Sequence, residues 1–595
     1  MRIGLLTEGG YPYVSGDASP WCDRLVRGLA QHEFDVYALS RSERQEDDGL
    51  LALPPQVRQV RTAPLWTAED DGVAYGRRAR RRFAECYGEL TAVLCSTAGR
   101  PVAAAGRPVA AAGRPVPVVD GPVAAVDGSL AVTGGSATVA DRFASALYGL
   151  AELAREEGGL VGALRSETAV RALERACRAP GALRAAHEAR VPDLLTVAAH
   201  LEHALRPLSL DWYEDDGLGS ADLCHATSGG AAALPGLLAR HFAGVPLLVT
   251  EYGVRLRTHY LTTTDAPPAV RSLLAAFHHR LAAESYRQAA YVTPGDAHAR
   301  RWQERCGADR AKLRTVYPGM DAGPFAEVGE SPERAAPDTL VWVGRVEPAK
   351  DLVSLLHALA EIRRDEPGTR LRVVGAPTGP EGAGYLAHCR ALAAQLFPDE
   401  ADGPHAVGDN PVSFEETGGP ECPAPADAYA SGAVIVLSSV VEGFPVSLVE
   451  AMFCGRATVS TDAGAVVEVI GGTGLVVPPR NPRALAEACV ALLRDPERRE
   501  RLGAAARARA LELFTVEQNI AALHGLYLEI VSRCPARRTA YGDTGDPLPF
   551  AVPAEAHLPG RWTAASRTVA RSGPGWAAGP PVRATTGVPA AKAAR

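Results

Sequence analysis

Two doubly wound α/β domains in tandem are the architecture that the sequence predicts. Three observations lead there. Short β-branched runs alternate with longer amphipathic stretches, the pattern of a parallel sheet covered by helices. The alternation comes in two separate series. The chain is also 595 residues long, room for about three or four domain-sized units at roughly 100–200 residues each. A composition of 47% hydrophobic and 22% charged residues is globular rather than disordered.

The first series opens with a strand at Ile3 to Leu6, a helix carrying Trp21, Leu25, Val26 and Leu29, and a strand at Val36 to Leu39. A tandem heptad follows, Gly99-Arg100-Pro101-Val102-Ala103-Ala104-Ala105 and its copies. A proline every seven residues forbids a continuous helix, so 97–137 reads as a flexible insertion. An all-helical stretch is expected at about 141–206, then strands at Asp222 to Thr227, Pro246 to Thr250, Tyr291 to Thr293 and Leu313 to Tyr317. The second series has strands at Thr339 to Val343, Arg370 to Val374, Ala433 to Leu437, Ala457 to Ser460 and Leu475 to Val477. A break at 403–425 reads as a loop around one short strand. The resulting division is 1–325 for the first domain, 326–514 for the second with a hinge near 325–337, and a returning helix at 515–535. The tail, 541–595, is rich in Pro, Gly, Ala and Thr and reads as disordered.

Charge and cysteine usage exclude several classes. With 62 Lys+Arg against 69 Asp+Glu the net charge is −7, which argues against a general nucleic-acid binder. No apolar run reaches the roughly 18 residues of a membrane span, and Met1 to Glu8 meets an acid too early for a signal peptide. Eleven cysteines without a C-x-x-C pair suit free thiols in a reducing compartment, so a cytoplasmic protein is expected.

In paired sheets of this kind ligands sit at the carboxyl ends of strands, so motifs there carry the functional reading. After Leu340 to Val343 comes Gly344-Arg345-Val346-Glu347-Pro348-Ala349-Lys350-Asp351. Lys350 is informative because the chain has three lysines, 312, 350 and 592. An Arg and a Lys together can hold a diphosphate, one as a fork and one as a point charge; alternatively they solvate a helix start. After Val434 to Leu437 comes Ser438-Ser439-Val440-Val441-Glu442-Gly443-Phe444-Pro445-Val446, running on to Glu450. Gly443 and Pro445 mark a tight turn into a helix, with Glu442 on the loop and Glu450 about one and a half turns inside. Carboxylates accept paired hydroxyl hydrogen bonds such as a ribose or a sugar ring offers, and the Gly443 to Val446 amides are placed to receive phosphate. The alternative is a pair of ordinary helix-flanking charges.

The E-x7-E element, with Gly344-Arg345, Lys350 and Thr461-Asp462-Ala463-Gly464, resembles the donor domain of retaining GT-B glycosyltransferases of the GT4 type. Thr7-Glu8-Gly9-Gly10-Tyr11-Pro12, Trp21-Cys22, His225-Ala226-Thr227-Ser228-Gly229-Gly230 and Thr250-Glu251-Tyr252-Gly253-Val254 resemble the PelF-like branch. The resemblance covers about residues 1–95 and 195–530. It implies a GT-B fold, two Rossmann-like domains facing a central cleft, and transfer of a hexose, UDP-glucose favoured, from a nucleoside diphosphate sugar to a hydroxyl acceptor in polysaccharide or glycoconjugate synthesis. By the same resemblance Arg345 and Lys350 neutralise the diphosphate, Glu450 binds ribose, Glu442 contacts the transferred sugar, and Gly344, Gly443, Phe444 and Pro445 line the donor. Gly9 and Gly10 approach phosphate and acceptor. No resident cofactor or metal is implied, and no Asp-x-Asp motif is present.

Two departures stand out. Tyr252 occupies a position where many relatives have His, so either Tyr252 substitutes or His225 serves; the default reading of His225 is a satisfied buried histidine. Pro318-Gly319-Met320-Asp321 replaces a Pro-Asn-Gly turn. Arg255 and Arg257 either add charge at the cleft or form a solvated strip. Two further readings stay open: a GT-B sugar-nucleotide epimerase or hydrolase, and a non-catalytic sugar-nucleotide-binding subunit that recruits partner proteins through the insertion and tail.

Overall fold

The computed structural model describes residues 1–14, 19–67, 72–96, 138–330, 335–398, 410–419 and 422–536, with two-residue strands at 540–541, 547–548 and 582–583. Most of the expected heptad insertion and of the expected disordered tail lies outside the described residues.

The first sheet contains six parallel strands: β1 (Arg2–Glu8), β2 (Glu33–Ser40), β3 (Val57–Pro64), β4 (Leu223–Ala226), β5 (Leu247–Glu251) and β6 (Tyr291–Pro294). Their order is β3-β2-β1-β4-β5-β6, with the short piece Val582–Arg583 antiparallel at the β3 edge. The helices that position the site are α1 (Ser19–Gly28), α2 (Arg77–Cys95), α3 (Val139–Glu157), α4 (Glu167–Arg178), α5 (Val191–Leu205), α6 (Arg255–Thr262), α7 (Pro268–Gln288) and α8 (Ala297–Arg305). The second sheet is also parallel, β7 (Ala336–Val343), β8 (Arg370–Val374), β9 (Val412–Glu415), β10 (Gly432–Leu437), β11 (Ala457–Thr461) and β12 (Leu475–Val477), in the order β12-β11-β10-β7-β8-β9. Around it lie α9 (Leu352–Asp365), α10 (Val446–Phe453) and α11 (Val466–Ile470), and α12 (Val516–Arg533) follows in sequence. Two doubly wound domains are thus present, as the alternation predicts.

The differences from expectation have physical reasons. β3 has no counterpart among the expected strands because Arg58 and Arg61 interrupt its apolar residues; as an outer strand it tolerates that polarity. Leu313 to Tyr317 is not a strand. It runs beside β6 as an extended connector held by Arg314 N–H to Val292 O at 3.0 Å and Val316 N–H to Pro294 O at 2.9 Å, with one isolated bridge.

The core of the first domain is split by its sheet. One face packs under α2, α3, α4, α5 and α7. Within that layer Arg206, fully buried, forks Glu202 with two 2.8 Å hydrogen bonds and donates to the Leu65 carbonyl, so its charge is compensated. The other face packs under α1 and α12. α12 follows the second domain in sequence yet closes the first: Leu523, Tyr527 and Ile530 are buried against Ile3, Leu5 and Val36. Its fit against α1 depends on Gly28, where a Cβ would lie 2.0 Å from Ile520 Cδ1.

Candidate functional site

Strand order reverses direction between β1 and β4 in the first sheet and between β7 and β10 in the second. At such a switch point adjacent loops leave in opposite directions and open a crevice at the carboxyl ends of the strands. Four of the motifs singled out in the sequence fall on these loops, Gly9-Gly10 after β1, Ser228 to Gly230 after β4, Gly344 to Lys350 after β7 and Ser438 to Pro445 after β10, while Thr250 to Val254 and Thr461 to Gly464 follow the neighbouring strands β5 and β11. The two crevices face each other. Arg257 Nη2, from α6 of the first domain, donates to the Glu442 carbonyl at 2.8 Å, and the Ala297 N–H at the start of α8 donates to Glu468 Oε2 at 2.6 Å.

Glu442 is the centre of the second crevice. Its Oε2 accepts from Lys350 Nζ at 2.6 Å and from Ser439 Oγ at 2.9 Å, while its Oε1 lies 3.3 Å from the Gly443 N–H. Lys350 and Glu442 expose only 12% and 11% of their side chains, which strengthens their attraction relative to a surface pair. The β7 and β10 loops are stitched together by Ser438 Oγ to Lys350 O at 2.7 Å and Val440 N–H to Ala349 O at 2.9 Å. Behind them, Thr461 Oγ1 donates to Ser439 O at 2.6 Å. Gly464 adopts φ +60°, and a Cβ there would sit 2.5 Å from Glu442 O and 2.6 Å from Gly443 O. The Thr461 to Gly464 segment is therefore the bed on which the Glu442–Gly443 peptide rests.

Glu450 lies within α10, which begins at Val446 after Pro445, about one and a half turns past that N-cap as expected. Tyr429 Oη donates to its Oε2 at 2.6 Å. Burial raises the carboxyl above its ordinary value, and the Tyr429 hydrogen bond works in the opposite direction. Two of the amides expected to meet phosphate are already engaged: Val446 N–H bonds Phe444 O at 3.0 Å, and Gly443 N–H lies against Glu442. Phe444 packs edge-on against Phe514, and Pro445 is buried. Gly344 lies where β7 and β8 meet, and a Cβ on Gly375 would stand 1.8 Å from its carbonyl oxygen. Arg345 is exposed.

On the facing domain, Gly9 adopts φ +65° beneath the Arg41 side chain and gives its N–H to Leu39 O at 2.8 Å. Arg41 and Arg255 both address Glu8 Oε1, at 3.0 and 3.8 Å. His225 is fully buried, with Nδ1 2.7 Å from Tyr527 Oη and Nε2 2.7 Å from Thr250 Oγ1; burial depresses its pKa to about 3. Tyr252 stacks edge-on against Trp21 and accepts from Asn519 Nδ2 at 3.1 Å. Both contact α12, His225 through Tyr527 and Tyr252 through Asn519. Sequence reasoning missed Glu8, Ser439 and Tyr429. Ser439 and Glu8 had a signal in their position at strand ends; Tyr429 had none, since its contact spans 21 residues.

Known proteins bear on this arrangement. Residues 337–495 match the family model "Glycosyl transferases group 1", and residues 1–104 and 133–311 match "Domain of unknown function (DUF3492)". The match to the group 1 model is confined to the second domain, and the two facing Rossmann-like domains have the GT-B fold. Among curated relatives, a D-inositol 3-phosphate glycosyltransferase of Kineococcus radiotolerans is 35% identical over 238 residues, covering 37% of this chain and 52% of the relative. One of Kribbella flavida is 29% identical over 283 residues, covering 46% and 63%. The chain thus spans between half and two thirds of the length of these two relatives. In three dimensions the chain is similar to a sucrose-phosphate synthase of Thermosynechococcus elongatus, with a TM-score of 0.51 and 17% identity over 89% of this chain and 99% of that one; at that identity the likeness concerns the fold alone. Lys350, Glu442 and Glu450 all lie inside the segment that matches the group 1 model.

Proposed function

We propose that the protein is a retaining glycosyltransferase that moves a hexose, UDP-glucose favoured, from a nucleoside diphosphate sugar to a hydroxyl acceptor in polysaccharide or glycoconjugate synthesis. The observation that carries the reading is the Lys350–Glu442 pair at the second switch point, eight residues before Glu450, inside the segment that matches the group 1 model.

In this scheme the nucleotide lies along α10. Glu450 accepts from the ribose hydroxyls, and Lys350 and Arg345 hold the diphosphate. Glu442, kept in place by Lys350 and Ser439, accepts from hydroxyls of the hexose. The acceptor enters from the Gly9-Gly10 side. The bond from the anomeric carbon to phosphate breaks with its electron pair leaving on the diphosphate, the acceptor oxygen bonds the same face, and its proton passes to the departing phosphate oxygen. Positive charge fixed at the leaving group is worth most in such a step, and loss of one stabilising donor typically slows it about 100- to 1,000-fold.

The test is nucleoside diphosphate release from a panel of UDP-, GDP- and ADP-sugars by the full chain and by Glu442→Ala and Lys350→Ala. Release that falls about 100-fold or more in both variants is expected. Tight binding without release, with and without glucan oligomers as acceptors, would overturn transfer in favour of a binding subunit.

A further inference from the structure

We propose that Arg257 is a positioning residue that transmits approach of the two domains to the peptide carrying Glu442; this rests on the transferase reading above. Arg257 lies in the first turn of α6, directly after β5, so its backbone belongs to the first domain. Its guanidinium crosses the cleft and donates 2.8 Å to the carbonyl of Glu442. Along that crossing it is attracted by Asp296, which caps α8, and by Glu442 itself.

The carbonyl it holds is unusual in having no freedom behind it. Gly464 sits against the same oxygen so closely that only a residue without a Cβ fits. Arg257 on one side and the Gly464 backbone on the other therefore fix the peptide plane, and that plane sets the direction in which the Glu442 side chain leaves the loop. Lys350 and Ser439 then hold the carboxylate from within the second domain. The division of labour is specific. The carboxylate's hydrogen bonds come from Lys350, Ser439 and Gly443 of the second domain, whereas the hydrogen bond to the carbonyl comes from α6 of the first and so depends on α6 being near the loop. Arg255, two residues earlier, instead addresses Glu8 in its own domain, so the start of α6 contacts both sides of the cleft.

The experiment compares the full chain with Arg257→Ala and Arg257→Lys in steady-state nucleoside diphosphate release. Losing one hydrogen bond from a charged donor predicts a fall in kcat of about 10- to 100-fold in R257A. The donor KM should stay within about threefold, because ground-state donor contacts come from the second domain. R257K, which keeps a cationic donor for a single carbonyl, should recover most of the lost kcat. Unchanged kcat in R257A, or a rise in donor KM that accounts for the whole effect, overturns the assignment. If the unmodified chain releases nothing from any donor, the transferase reading fails by itself, and Arg257 is read by small-angle scattering with UDP. Compaction in the unmodified chain and R257K but not in R257A supports the proposal; equal response in all three overturns it.

Discussion

Glu450 shows how one buried carboxylate links the site to pH. A carboxyl raised by burial takes up its proton at a higher pH than a free glutamate, and once protonated it accepts hydroxyl hydrogen bonds poorly. Donor affinity is therefore expected to weaken as pH falls through that raised value. Tyr429 Oη favours the ionised form, so Tyr429→Phe should move the acid limb of donor KM to higher pH, measured by titrating KM in the original chain and the variant. Movement to lower pH would contradict the role given to this pair. Glu442 and Glu450 were legible in the sequence because both lie on one short strand–turn–helix unit. Tyr429 was not, and Arg257 was legible only as one of two readings, cleft charge or solvated strip, because each reaches its partner through tertiary contacts that no local pattern encodes.

At the scale of elements, the loop after β11 matters more than its length suggests. Gly464 combines a left-handed φ with contact to two carbonyl oxygens. Gly464→Ala is expected to destabilise the chain by about 1–3 kcal/mol and to lower activity by displacing the Glu442–Gly443 peptide. A denaturant midpoint and a release rate that both match the unmodified chain would refute this. The same scale explains what the sequence could not foretell about secondary structure. Among the strands nearest the two switch points, β1, β4 and β10 are almost entirely buried, and β7 is buried over Thr339 to Trp342 after an exposed start, so each contains a readable apolar run. β3, next to the edge, carries partly exposed residues and loses that signature, whereas the short edge strand β9 falls inside the 403–425 break where one short strand is expected. The connector from Leu313 to Tyr317 has the apolar pattern of a strand but bonds one neighbour too irregularly to form a ladder.

For the whole molecule, buried histidines set the acid limit of stability. Burial depresses His225 and His278 to about 3, and His32 and His279 to about 4. Each is neutral when folded and takes a proton more readily when unfolded, near the ordinary value of 6.5. Their contribution is complete above about pH 6.5 and is lost progressively as pH falls toward the folded values. His225 alone contributes a slope of up to about 1.4 kcal/mol per pH unit. Melting temperature should accordingly drop between pH 6.5 and 5, before most carboxylates titrate; a flat profile over that range would disprove it. Among the described residues no helix is long and apolar enough to cross a membrane.

The position of α12 also bears on how the chain is made. Synthesis runs from the N-terminal to the C-terminal side, and β6 ends at Pro294, more than two hundred residues before Val516, where the helix that covers the sheet's second face begins. Until Val516–Arg533 emerges, the apolar groove formed by Ile3, Leu5, Trp21, Leu25 and Val36 has no lid. The first domain is then complete only when the second has already been synthesised. A nascent chain stopped anywhere short of α12 displays that groove to chaperones and proteases, which gives the cell a ready mark of an unfinished molecule.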